Sequence, residues 1–222
     1  MNSFLTPRLW LFIWGGLGAL LLAFILISAS QDPKGSAIAT ATPTSDTSSE
    51  ATTAVCKAKA SDRAPSLLKG AVADFTYAFM ARRAPGERFL RDGAETTLVD
   101  FRGKTVLVNF WATWCAPCLK ELPSLNALQK KLGSETFEVV AVAADPKGPE
   151  AAKKYLRELD IDALTLYTDQ KLALASAVGG VSVLPVSILY DANGKEIGRL
   201  RGETDWAADE AAALIENVIS CS

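Results

Sequence analysis

The sequence predicts an α/β domain: a mixed central sheet with helices on both faces, preceded by a hairpin and, further upstream, by a transmembrane helix. Two runs, Thr105–Trp111 and Phe137–Ala143, are almost unbroken in apolar residues, as strands covered on both sides of a sheet are. A helical pattern follows each of them, and the chain closes on a strand pair and a last helix. Turn chemistry separates the elements, with Asp92-Gly93 and Asp191-Ala192-Asn193-Gly194 as its strongest signals.

Leu9 through Ile27 are 19 uncharged, mostly apolar residues. As a helix they cover about 28 Å, close to the hydrocarbon core of a bilayer. Trp10, Phe12, Trp14 and Phe24 are distributed all round, so no polar face remains for a soluble helix. A signal-anchor over residues 9–29 is expected. Arg8, with no acid before it, keeps residues 1–8 cytoplasmic and sends the remainder across. The alternative is a cleaved signal peptide, for which Ser28-Ala29-Ser30 is the candidate processing site. Both readings place the rest of the chain in an oxidising compartment. Residues 30–55 are rich in Ala, Thr and Ser and include Pro33, Gly35 and Pro43, which reads as a flexible linker.

Residues 56–84 read as a helical extension, apolar on one side from Pro65 to Met80 and broken near Gly70. The main domain is expected over residues 85–222. In it Glu87–Leu90 and Thr96–Val99 flank the hairpin signal Asp92-Gly93. After the Thr105–Trp111 strand a helix runs to about Leu132, followed by the Phe137–Ala143 strand. Pro149–Leu159 is expected as a helix, Ala163–Tyr167 as a short strand and Gln170–Val178 as a helix stopped by Gly179-Gly180. Val186–Tyr190 and Ile197–Arg201 form the strand pair, and Asp205–Ile219 the closing helix.

Composition removes several classes of function. A net charge of -2 and a pI near 5.3 leave no basic excess to neutralise phosphates, so no nucleic-acid partner is expected. From Cys56 onward there are 21 basic and 22 acidic residues, close to neutrality. The chain has no histidine, which removes Ser-His-Asp and Cys-His catalysis and any imidazole ligand. Chemistry then falls to the four cysteines, Cys56, Cys115, Cys118 and Cys221.

Cys115-Ala116-Pro117-Cys118 sits where a strand gives way to a helix. Unpaired amides and the helix dipole at such a junction favour a thiolate. A zinc site would need about four ligands, and there is neither a second CxxC nor a histidine to complete one. No metal and no cofactor is expected. An inert disulfide is the rival reading, but a bridge across so short a loop closes little chain entropy. Cys115, at the helix start with its sulfur exposed, is the expected nucleophile, and the more shielded Cys118 the resolving thiol. Cys56 and Cys221 bracket the domain and enclose 164 residues; a structural bridge between them is expected, with free thiols or an intermolecular bridge as alternatives.

The segment Val106–Pro123, VLVNFWATWCAPCLKELP, resembles the active-site strand and helix of the thioredoxin superfamily. With Glu121-x-Pro123, Leu184-Pro185 and the insertion between about Asp145 and Gly180, it is most similar to the membrane-anchored TlpA/ResA/CcmG branch, closest to TlpA. The resemblance covers roughly Pro85 to Ile219 and implies a thioredoxin-like fold with a central insertion. It implies that Cys115 attacks and Cys118 resolves. Pro185 matches the proline that follows a cis peptide bond in the family, exposing the Leu184 backbone to a substrate strand. Trp114 matches the residue covering the dithiol, with plain core packing as its alternative, whereas Trp111 reads as core. Glu121 matches an acid that moves a proton near the pair, against the alternative of a solvated helix charge. Asn109 stands where ordinary thioredoxins carry a buried Asp, which leaves Glu121 as the nearest proton-handling group. Peroxiredoxins share the fold but need Thr or Ser at position 112 and Pro at 108, which are Ala112 and Val108 here.

The branch implies a single-pass protein of the bacterial inner membrane with its dithiol domain in the periplasm. It also implies a reductant for cytochrome c maturation or for the copper site of cytochrome oxidase. Its partners would be a disulfide-bearing apocytochrome, copper chaperone or oxidase subunit, and a membrane thiol electron donor. A tethered peptide-binding module with only structural disulfides, or a disulfide-forming oxidant, are the alternatives.

Overall fold

Seven consecutive buried residues, Thr105–Trp111, form the strand around which the sheet is assembled. The computed structural model describes residues 64–80 and 82–221; the expected span 9–29, the linker 30–55 and Cys56 lie outside the described residues. Among the described residues no helix is long and apolar enough to cross a membrane. In chain order the strands are β1 (Thr76–Tyr77), β2 (Phe89–Arg91), β3 (Ala94–Thr96), β4 (Thr105–Trp111), β5 (Phe137–Ala143), β6 (Tyr167–Thr168), β7 (Val186–Tyr190) and β8 (Glu196–Arg201). The helices are α1 (Ala116–Leu132), α2 (Pro149–Glu158), α3 (Ala173–Ala177) and α4 (Asp209–Ile219).

The strands form one mixed sheet in the order β1-β8-β7-β4-β5-β6-β2-β3. β4 pairs parallel with β5, Leu107 facing Val139, and antiparallel with β7, Leu107 facing Leu189. Its side chains alternate between two cores, as the period of a strand requires. Leu107 and Trp111 face Leu122, Leu125 and Leu128 of α1, Leu156 of α2 and Leu214 and Ile215 of α4. Val106, Val108 and Phe110 face Phe89, Phe101, Tyr167 and Leu174 on the other side. Each such side chain, fully buried, stabilises by about 1.5–3 kcal/mol relative to exposure.

The two faces are covered unequally. Three longer helices lie on the first, whereas the second has the five-residue α3, the 3-10 turn Leu98–Phe101 and the β2–β3 hairpin. The hairpin turns on Asp92 and Gly93, whose φ values of 49° and 87° are those of a two-residue primed turn. α3 is shorter than its sequence pattern because the Asp169 carboxylate accepts the amides of Ala173 and Ala175, at 2.9 and 2.8 Å, and starts the helix there. α4 begins later than expected because Asp205 turns back on the Ala207 amide at 2.9 Å.

The extension departs most from its sequence pattern. Instead of a helix from Pro65 to Met80, there are 3-10 turns at Pro65–Leu67 and Gly70–Val72 and then β1. Gly70 adopts φ +52°, a left-handed conformation that interrupts a right-handed helix. The energy gained lies in tertiary contacts, since Val72 and Phe75 enter the first core and β1 pairs antiparallel with β8. The next residues continue along β8: the Glu196 amide donates to the Arg82 carbonyl at 2.8 Å and the Ala84 amide to Gly194 at 2.7 Å. Residues 76–78 and 82–84 therefore run along β8 and its turn rather than in a separate helical segment.

Gly198 permits that edge to form. A Cβ built there would lie 2.5 Å from both a Phe75 ring carbon and the Thr76 carbonyl oxygen. Backbone cannot yield to it, so Gly198→Ala should destabilise the protein by about 1–3 kcal/mol in denaturant titration. A loss under about 0.5 kcal/mol would show that β1 is not packed on β8 in solution.

Candidate active site

β4 and α1 are separated by only residues 112–115, and this short crossing places both cysteines. Cys115 is the N-cap of α1 and is disulfide-bonded to Cys118, with Cα atoms 5.3 Å apart. The Cys118 amide points at Cys115 Sγ from 3.3 Å. The same amide and the positive end of the α1 dipole face the Cys115 sulfur. The exposed Cys115 sulfur expected from the sequence is not found: in the disulfide Cys115 is 4% and Cys118 1% exposed, both at the edge of the first core.

The crossing is held from the neighbouring strand. Asp145, just beyond β5, accepts the Thr113 amide at 2.8 Å and the Thr113 hydroxyl at 2.5 Å with one oxygen. Its other oxygen accepts the Lys147 amide at 2.9 Å. Burial alone would raise the Asp145 pKa, but these hydrogen bonds outweigh it and hold the carboxyl below its ordinary value. Asp145 is thus a fixed anion that fixes the loop presenting Trp114 and Cys115. Sequence reading used Asp145 only as the start of an insertion. An acid at the end of the parallel strand beside a dithiol crossing is the signal that could have found it.

Glu121 lies one turn beyond Cys118 on α1 and is 2% exposed, so the alternative of a solvated helix charge does not hold. Asn109 Nδ2 donates to Glu121 Oε2 at 3.0 Å; Trp206 Nε1 donates to Oε1 at 2.8 Å and the Thr204 amide to Oε1 at 3.3 Å. Burial pushes the Glu121 pKa up to about 7, against the opposing pull of these donors. Asn109 also donates to Ser187 Oγ at 2.9 Å, while its buried Oδ1 accepts no hydrogen bond among the described residues. Ser187, Thr204 and Trp206 come from β7 and the β8–α4 loop and were not singled out by the sequence reading. The donors to Glu121 lie as far as 85 positions away in the chain, and no local pattern marks such a pairing.

The Leu184–Pro185 peptide bond is cis, and Val186, the next residue, pairs with Phe110 near the end of β4. Pro185 therefore stands beside the strand end from which the dithiol crossing departs. Leu184 is half-buried against both cores. Trp114 is 62% exposed, which excludes core packing for it, whereas Trp111 is buried and donates Nε1–H to the Ala141 carbonyl at 3.4 Å. Val183, absent from the sequence-derived candidates, is 64% exposed two residues before the cis-proline. Cys221 is half-buried after the end of α4, and its expected pairing with Cys56 lies outside the described residues. Among the described residues no three Cys, Asp or Glu side chains are grouped to hold a metal ion.

Residues 59–215 match the family model described as Redoxin. The thiol-disulfide oxidoreductase ResA of Bacillus thuringiensis subsp. konkukian is 37% identical over 112 residues, 50% of this chain and 63% of that protein. ResA of Geobacillus thermodenitrificans is 35% identical over 105 residues, 47% of this chain and 58% of that protein. The chain thus matches less than two thirds of the length of these relatives. A thiol:disulfide interchange protein DsbE from Chlorobium tepidum superimposes with a TM-score of 0.56 at 29% identity, covering 63% of this chain and 96% of that one. The thioredoxin domain of a thiol-disulfide oxidoreductase from Bacteroides vulgatus gives 0.52 at 26% identity, covering 64% and 99%. The described core is accordingly a thioredoxin-like α/β fold, related to the ResA/DsbE/TlpA group as a whole and not to TlpA in particular.

The raised Glu121 pKa has a measurable consequence for stability. The folded state holds this proton up to about pH 7 and the unfolded state only to about 4.5, so the contribution is complete below pH 4.5 and is lost as pH rises to 7. Glu121→Gln escapes that loss. Its stability relative to wild type should rise between pH 4.5 and 7.5 by on the order of a few kcal/mol, read by denaturant titration at each pH. A difference independent of pH would refute a perturbed Glu121.

Proposed function

This chain belongs to the Redoxin family, and on that footing we propose that it is a protein thiol–disulfide oxidoreductase whose working groups are Cys115 and Cys118. The observation that carries the proposal is the Cys115–Cys118 disulfide at the N-terminus of α1, one turn before buried Glu121. The names of the ResA and DsbE relatives support the same chemistry.

In the reduced protein the Cys115 thiolate attacks a sulfur of the target disulfide, forming a mixed disulfide and releasing the first target sulfur as a thiolate. Cys118 then gives up its proton and attacks Cys115 Sγ. The Cys115–Cys118 bond forms, the mixed disulfide breaks, and the second target sulfur leaves. Two electrons pass from the dithiol to the target, whose two thiolates each take up a proton. Glu121, titrating near neutrality, is the group placed to take the proton from Cys118 and return it on recharging. Asn109 and Trp206 hold its carboxylate in place. The exposed Trp114 and Val183 and the Leu184 backbone at cis-Pro185 form the surface on which a target strand would lie.

The finer reading is a membrane-anchored reductant on the periplasmic side of a bacterial inner membrane. It would serve cytochrome c maturation or copper-site assembly of the oxidase and be recharged by a membrane thiol donor. The uncharged run Leu9–Ile27 and the ResA-type relatives support it.

Cys115→Ser should lower the rate of insulin disulfide reduction by at least about 10³-fold. Unchanged turnover would leave a binding module whose cysteines only cross-link. A reductant should also equilibrate near about −270 mV in glutathione or dithiothreitol titrations. A value near about −120 mV would make the protein an oxidant instead.

A further inference from the structure

The main domain is close to neutral, yet one edge of its sheet gathers three arginines beside the cis-proline. β8 arrives there: Gly202 donates its amide to the Pro185 carbonyl at 2.9 Å, and Arg201 faces Val186 across the ladder. The strand period puts Arg199 on the same face as Arg201, with Leu200 turned into the core. Arg82 joins them from the segment that follows β1. The side-chain position of Gly179 lies 3.4 Å from Arg82 Nη1 and 3.9 Å from Arg199 Nη1, so both guanidinium groups converge on one place.

These residues line a cleft of about 240 Å³ together with the segment Thr76–Met80. Glu196 is the single acid in the lining among the described residues. It is buried and takes Arg199 through two hydrogen bonds, at 2.5 and 2.8 Å. That pair neutralises itself, and Arg82 and Arg201 leave the cleft with net positive charge. The side chains of Phe79 and Met80 are exposed at its rim.

We propose that this cleft is a docking site for an acidic segment of the polypeptide partner, taking carboxylates at Arg82 and Arg201 and an apolar side chain against Phe79 and Met80. The proposal rests on the reading of Leu184–Pro185 as the place where a disulfide-bearing polypeptide is held, because β8 leads from that point into the cleft. The cleft suits an inserted carboxylate side chain, which a polypeptide segment supplies. Charge at this distance from the sulfurs selects among partners and speeds their encounter without touching the chemistry.

The test uses two dye-labelled peptides of ten residues without cysteine, one with three glutamates and a phenylalanine, the other with glutamines in place of the glutamates. Binding is followed by fluorescence anisotropy on the full oxidised chain in detergent. The glutamate peptide should bind roughly five- to tenfold more tightly at about 50 mM salt, and the advantage should fall below about twofold at about 0.5 M. Arg82→Gln with Arg201→Gln should bring the ratio of affinities close to one, and the Arg82→Lys, Arg201→Lys pair should retain most of it. Equal affinity of wild type for both peptides overturns the proposal, as does a ratio that survives the double glutamine change. So does a wild-type ratio of one with arginine-dependent sedimentation on phosphatidylglycerol vesicles, which would make the cleft a lipid contact. Binding needs no sulfur exchange, so a chain that shows the ratio but reduces no disulfide sinks the oxidoreductase reading and leaves the cleft standing.

Discussion

A strand buried along its whole length gives way to a helix within four residues, and the rest of the site depends on that junction. Inside the sheet β4 is paired along its length with β5 and from Val106 to Phe110 with β7. At the start of α1 the amides have no partner within the helix, and the dipole adds positive potential at the same point. A sulfur at the N-cap therefore meets donors that a sulfur elsewhere on the helix would not. Asp145 and Thr113 keep the crossing from drifting, and the cis-proline at the head of β7 stands beside it because β7 is the next strand over.

Two buried carboxylates near this junction are driven in opposite directions by the same two effects. For Asp145 the hydrogen bonds from Thr113 and Lys147 prevail over burial, and the group stays an anion that organises a loop. For Glu121 burial prevails over three donors, and the group is left able to exchange a proton near neutrality. Asn109 contributes to that outcome: its amide offers a donor to Glu121, where a second acid would set two like charges against each other. The Asn109–Glu121–Trp206 chain thereby joins strand β4, helix α1 and the β8–α4 loop in one polar network within an apolar core.

At the β1 edge of the sheet the chain used contacts that no local preference would select. Residues 72–78 give up a continuous helix to pair with β8 and to bury Val72 and Phe75. In doing so they bring Arg82 to Arg199 and Arg201. A domain with almost no net charge acquires a local positive field only because distant segments meet there.

Sequence alone was sufficient for whatever depends on neighbouring residues. The runs at Thr105–Trp111 and Phe137–Ala143, the helix after Cys115 and the place of the dithiol at its start are local patterns of hydrophobicity and of helix signals. The absence of histidine narrowed the chemistry without any coordinates. Tertiary structure alone decided what depends on distance through space: Ser187 on Asn109 across 78 positions, Trp206 on Glu121 across 85, and Asp145 on Thr113 across 32. It also turned an expected helical extension into an edge strand, because the energy of β1 lies in β8 and Phe75 rather than in its own helix propensity. Periodicity records which way a side chain faces along its own element. It carries no information about which remote group will be waiting there, and the protonation of Glu121 is set by how deeply the fold buries it, against the pull of remote donors.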